Sequence, residues 1–186
     1  MTDVDIKNLS GMFLIAVPAL KDPNFEHSVV LICDHTQDGA FGLVINRILL
    51  RSFVPFQKGL DIKDSLIDLP VYYGGPVKPE QGYILYTPPE TYYPSIKIND
   101  TLTLTTSKEI LIDISMGKGP EKYLFTLGFA GWSPGQLEYE LMADSWLIAP
   151  LDNIILFDTP VNERWKAAAG SIGVDLSRMF FRQGQV

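Results

Sequence analysis

At 186 residues the chain suits one domain that buries roughly 70% of its unfolded surface, enough for a core without disulfides or a structural metal. A single cysteine excludes an internal disulfide and points to a reducing compartment. The net charge of −7, with 22 acidic against 15 basic residues, disfavours direct nucleic-acid binding, which needs Lys and Arg to neutralise phosphates.

The N-terminal Met1-Thr-Asp-Val-Asp5 is acidic where a secretory leader would be basic. The apolar run Phe13 to Leu20 contains Pro18 and falls far short of the ~20 residues a spanning helix needs. A soluble cytoplasmic protein is expected, a single domain over 1–186 with loose ends at 1–10 and 182–186.

Phe13 to Ala19 reads as a first strand, ended by Lys21-Asp-Pro23. A hairpin follows. Val29 to Ile32 is a continuous apolar run, Thr36-Gln-Asp-Gly39 supplies turn chemistry, and Gly42 to Ile45 runs back to Asn46. Arg51 to Leu69 is irregular, with at most a short amphipathic turn at Leu60, Ile62, Leu66 and Ile67. Val71-Tyr-Tyr73 runs into the chain reversal Gly74-Gly-Pro76, and Gly82 to Thr87 is a strand stopped by Pro88-Pro89.

After Ile96-Lys-Ile98 and an Asn99-Asp100 turn, Thr101 to Thr105 alternates with period two. Thr106 and Glu109 form a capping-box pattern before a helix carrying Ile110, Leu111 and Ile114, with Gly117 as its stop. Lys122 to Phe129 is a strand. Ser133, Pro134 and Gln136 then open a helix with Leu137 and Leu141 on one face and Glu138 and Glu140 turned aside. Trp146 to Ala149 and Ile154 to Phe157 read as two short strands, and Thr159-Pro160 opens a last helix striped by Val161, Trp165, Ala168, Ala169 and Ile172. Strands grouped early and helices late, without regular βαβ alternation, predict an α+β fold with a mixed, mostly antiparallel sheet flanked by about three helices.

Gly131-Trp-Ser-Pro-Gly135 matches the G-x-S-x-G elbow of α/β-hydrolases in letters only. The residue after the serine should donate its backbone N–H to the oxyanion; here it is Pro134, which has none. Both histidines, His27 and His35, also precede the serine instead of following it. A helix cap is the ordinary reading of Ser133.

Cys33 and His35 stand two apart, so a continuing strand would put thiol and imidazole on one face. Such a pair could serve a thiolate nucleophile or redox sensor, and nearby Asp34 and Asp38 raise a weak metal site. The ordinary alternative is a buried structural cysteine beside a turn histidine bonded to backbone. A small-ligand site near Gly42, Asn46 and Trp132 is a further candidate. Cys33, His35, Asn46 and Trp132 are therefore the candidate reactive or ligand-binding set. No cofactor or metal is expected, and no catalytic residue is assigned.

Residues 70–94 hold Tyr72, Tyr73, Tyr83, Tyr86, Tyr92 and Tyr93 with six prolines. Tyrosine with proline suits an exposed recognition surface, and Tyr72, Tyr73, Tyr92 and Tyr93 are the candidate partner-binding set. Plain sheet packing is the alternative.

Phe13-Leu-Ile-Ala-Val-Pro-Ala-Leu20, the Ser28-to-Asn46 hairpin, Gly74-Gly-Pro-Val77, Gly82 to Pro88, Gly135-Gln-Leu-Glu138 and Trp146-Leu-Ile-Ala-Pro150 together resemble the AlgH/YqgE family of bacterial proteins. Ile155-Leu-Phe-Asp-Thr-Pro160, Arg164-Trp165 and Ile172-Gly-Val-Asp175 extend the resemblance along nearly the whole chain. It implies an α+β fold whose bent, bifurcated sheet approaches a barrel. The family's transcriptional-regulator label brings no agreed catalytic residues, so none is carried over. Asp34, Ile48 and Tyr86 depart from the family's usual Glu, Pro and His. The functional expectation is a non-enzymatic regulatory protein acting on an unknown protein partner; the alternatives are thiol chemistry at Cys33 and His35, or a small-ligand module.

Overall fold

A computed structural model describes residues 8–50 and 68–181. The amphipathic turn expected around Leu60 to Ile67, and the loose ends at 1–7 and 182–186, lie outside the described residues. Leu9 corrects the remainder of the N-terminal expectation. It is fully buried, and its N–H donates to the His35 ring.

Among the described residues ten strands form one open sheet: β1 (Met12–Ala16), β2 (Val29–Thr36), β3 (Gly39–Val44), β4 (Ile48–Leu50), β5 (Val71–Tyr73), β6 (Val77–Tyr86), β7 (Ser95–Asn99), β8 (Leu102–Thr105), β9 (Tyr123–Trp132) and β10 (Trp146–Pro150). The main path runs β10-β1-β2-β3-β9-β6-β8-β7. All its pairings are antiparallel.

Strand β9 is where the sheet forks. On one edge it pairs with β6. Its other edge is shared: Gly131 and its neighbours face β3, while Phe125 to Leu127 run parallel to β5, which carries β4. Gly74 fills the crotch of the fork, donating its N–H to the Leu127 carbonyl (2.8 Å) and accepting from the Val44 N–H (2.8 Å). Gly75 (φ +154°) and Gly128 (φ +73°) cross backbone on backbone, and a Cβ on Gly75 would overlap the Phe129 carbonyl. Only glycine permits that approach and those dihedrals.

The hairpin's continuous apolar run has a physical cause: both faces of β2 are covered. Val29, Leu31 and Cys33 point into one cluster with Phe13, Ile15, Leu43 and Leu85. Val30 and Ile32 point into another with Leu14, Trp132 and Trp146. Helix α3 (Arg164–Ser171) and helix α4 (Leu176–Phe181) cover the first cluster, through Ala168, Ala169 and Leu176. Helix α2 (Gln136–Met142) covers the second through Leu137. A third cluster, with Tyr86 and Phe125, lies under Ile110, Leu111 and Ile114 of helix α1 (Glu109–Ser115).

Several local expectations change. Ile154–Asp158 is a wide helical turn, not a strand. Asp152 Oδ1 accepts the Ile154 N–H (2.8 Å), and Thr159 closes the turn on the Ile154 carbonyl through its N–H (2.8 Å). Helix α1 is opened by Ser107, whose Oγ accepts the Glu109 N–H (3.2 Å), and not by Thr106. Helix α4, which the sequence pattern does not predict, begins behind Asp175, which accepts the Ser177 N–H (3.0 Å).

Candidate functional site

The bulge in β2 decides the fate of the hairpin residues. Ile32 pairs with Gly42 and Asp34 with Phe41, leaving Cys33 as the extra residue. One extra residue reverses the inside–outside parity of the strand beyond it. Cys33 therefore keeps company with Leu31, on whose carbonyl its Sγ–H rests (3.7 Å). His35 turns to the opposite face, toward Leu9 and α2. The expected thiol–imidazole pair is not formed.

Cys33 is 2% exposed, and burial, aided by the Asp34 charge, pushes its thiol far above the ordinary value of 9.0. Such a thiol is inert at neutral pH. The His35 imidazole is occupied at both nitrogens. Nδ1 accepts the Leu9 N–H (3.1 Å), so the proton sits on Nε2 and is donated to Glu138 Oε1 (3.0 Å). Its own N–H donates to Ser10 Oγ (3.0 Å). His35 thus ties the N-terminal segment, the hairpin and α2 together.

Asn46 and Trp132 are also structural. Asn46 Oδ1 accepts the Val29 N–H (2.8 Å) and its amide donates to the His27 carbonyl (2.9 Å), clamping both ends of the hairpin. Trp132 Nε1 donates to Glu140 Oε2 (2.9 Å), the oxygen that also receives Trp146 Nε1 (2.8 Å). Phe25 packs against both indoles. Glu138 and Glu140, turned aside from the Leu137–Leu141 face, are the polar anchors of α2. Ser133 is exposed, with its N–H held by Gln136 Oε1 (3.0 Å), which is half of the expected capping box.

The tyrosines divide. Tyr72 is buried under Arg164 and Tyr92 is buried with its hydroxyl on Asp113 Oδ2 (3.1 Å), so neither offers an exposed surface. Burial raises the Tyr92 hydroxyl's pKa strongly, helped by its bond to Asp113. Tyr73 is half-buried and donates to Asn24 Oδ1 (3.0 Å). Tyr93 alone of the four is exposed, at 77%. Beside it lies an apolar cleft of about 240 Å³ between β7, β8 and the tip of the β2–β3 hairpin, walled by Phe41, Tyr83, Pro94, Ile96 and Leu104 with Asp34 at its side. Ile96, on the sheet's edge strand, is 45% exposed.

Sequence reasoning missed Arg164. It is 3% exposed, with Nε donating to the Thr159 carbonyl (2.9 Å), one terminal nitrogen to the Ile45 carbonyl (2.6 Å) and the other to the Tyr72 hydroxyl (3.3 Å). It lines a second cavity of about 440 Å³ between β5, β9 and the wide turn. The one available signal was an arginine within the apolar stripe of the last helix. Among the described residues, no three His, Cys, Asp or Glu side chains gather into a metal-binding group, and no helix is long and apolar enough to cross a membrane.

The profile of the AlgH-like family matches residues 13–177. A UPF0301 protein of Methylococcus capsulatus is 46% identical over 179 residues, covering 95% of each chain. A UPF0301 protein of Nitrosococcus oceani is 44% identical over 170 residues, covering 90% of this chain and 91% of its own. The solution structure of the AlgH protein from Pseudomonas aeruginosa superposes with a TM-score of 0.77 at 40% identity, across 100% of this chain and 98% of that one. A Corynebacterium diphtheriae protein, DIP2367, shares the fold at 18% identity, with a TM-score of 0.71 over 90% of this chain and 89% of its own.

Proposed function

We propose, from the premise that this chain belongs to the AlgH-like family, that it is a cytoplasmic, non-catalytic regulator that works by binding an extended segment of another protein. The observation that carries this reading is the cleft beside β7. Among the described residues β7 pairs only with β8, so its outer edge offers backbone donors and acceptors to an incoming strand. Main-chain pairing on such an edge supplies affinity, and an adjacent apolar pocket selects a side chain. Here the pocket is the Phe41–Tyr83–Leu104 cleft, flanked by exposed Ile96 and Tyr93.

The buried thiol of Cys33 and the doubly bonded ring of His35 favour binding over thiol chemistry. The net charge of −7 favours a protein over DNA as the regulated partner. The occupant this edge fits is an extended peptide presenting one apolar side chain to the cleft.

The test is capture of a partner by the natural chain, followed by hydrogen exchange on the complex. Slowed exchange of the β7 amides, with loss of the partner on Ile96→Asp and its retention on Met142→Asp, supports the reading. Met142 is a suitable control because it is 77% exposed on α2, away from the cleft. Unchanged β7 exchange, or a partner still held by Ile96→Asp, refutes it.

A further inference from the structure

Among the described residues, the buried Arg164 guanidinium is satisfied only by neutral groups. Of its five N–H donors, three are engaged, by the Thr159 and Ile45 carbonyls and the Tyr72 hydroxyl. The Tyr72 ring adds a face at 5.3 Å. Among the described residues no carboxylate pairs with it. A charge this deeply removed from water normally has a counter-ion, because carbonyl dipoles offset only part of its lost hydration. Here the cation lines a cavity large enough for a small molecule.

We infer that this cavity binds a small carboxylic acid with an apolar, ring-sized body, its carboxylate paired with Arg164. Two engaged-but-unfilled terminal nitrogens suit a planar carboxylate, which guanidinium groups grip through two parallel hydrogen bonds. The walls choose the body: Tyr72, Tyr123, Phe125 and Phe157 supply flat apolar surface next to the cation. The rim sets the charge. Asp68, Glu121 and Asp158 outnumber Lys122, whose ammonium is already paired with Asp158. With Lys122 and Asp158 neutralising each other, Asp68 and Glu121 remain uncompensated and favour a monoanion over phosphate and other polyanions.

The site lies among β5, β9, α3 and the wide turn, and shares no lining residue with the β7 cleft. It therefore stands or falls apart from the proposed partner surface.

The experiment titrates the full chain with phenylacetate, acetate and inorganic phosphate, following thermal unfolding and backbone amide NMR shifts. Phenylacetate should give a saturable rise in unfolding temperature, with shifts centred on Tyr72, Tyr123 and Arg164. Acetate should bind at least tenfold more weakly, for want of the ring, and phosphate more weakly still. Arg164→Gln should weaken phenylacetate about tenfold or more, as loss of a charged hydrogen-bond partner does. Should that variant fail to fold, Phe157→Ala keeps the cation and removes a wall, and should shrink the preference for phenylacetate over acetate. The inference is overturned if no probe gives a saturable effect, if phosphate binds best, or if Phe157→Ala leaves the preference intact.

Discussion

A thiol with no water around it and an aspartate next to it holds its proton. Cys33 is such a group, and the consequence for stability has a definite sign. Below its ordinary value of 9.0 the thiol is protonated in folded and unfolded chains alike, and its full contribution is present. As pH rises past 9.0 the unfolded chain releases a proton that the folded chain keeps, so stability falls by up to about 1.4 kcal/mol per pH unit. Urea unfolding between pH 7 and 10.5 should show this decline, and Cys33→Ala should flatten it between 9 and 10. Tyr92, also raised, should extend the decline above its ordinary 10.0, and Tyr92→Phe should remove that part. Alkylation of Cys33 by iodoacetamide at pH 8 should proceed only as fast as the chain opens. His35→Ala leaves the buried Leu9 N–H without an acceptor and should cost about 1–3 kcal/mol. Composition and spacing found these two residues but not their separation. The separation comes from one bulged residue, and period-two reasoning assumes that there is none.

At the scale of elements, α2 is seven residues long and too short to stand on propensity. It is held by Leu137 in the core and by two carboxylates that reach across to β2, β9 and β10. Glu140→Ala leaves two indole N–H groups unpaired and should cost about 2–4 kcal/mol, read by urea unfolding with tryptophan emission. Glu140→Gln keeps an acceptor oxygen and should cost less. The helix was legible from Gln136 and the Leu137–Leu141 spacing, although it starts behind a left-handed Gly135 with no side-chain cap, and not at Ser133 and Pro134. Its anchors were not, because Trp132 and Trp146 meet Glu140 from outside the helix, and a helical wheel shows only the helix's own side chains. The strands with period-two or continuous apolar runs were legible for the opposite reason: their partners' identity did not matter to the pattern. Ile154 to Phe157 looked like a strand by composition and became a turn because Asp152 captures its first N–H.

For the whole molecule, the charge of −7 sets an expectation that a mobility-shift assay can check. At about 0.15 M salt, where phosphate contacts alone determine non-specific affinity, duplex DNA should remain unbound. The α+β class and the antiparallel majority were readable from element order; the fork at β9 was not, and only the family resemblance implied it. It depends on Gly74, Gly75 and Gly128 meeting across some fifty residues of chain, which no local window contains. Gly75→Ala forces a side chain into the Phe129 backbone and should cost about 3 kcal/mol or leave the chain in inclusion bodies. That crossing also governs how the protein comes into being. Strands β3, β5 and β6 all wait for Tyr123–Trp132, and β1 waits for Trp146–Pro150. A ribosome must release most of the polypeptide before its middle can be tied, and until then the early hairpins travel with open flanks that a nascent-chain chaperone would have to shield.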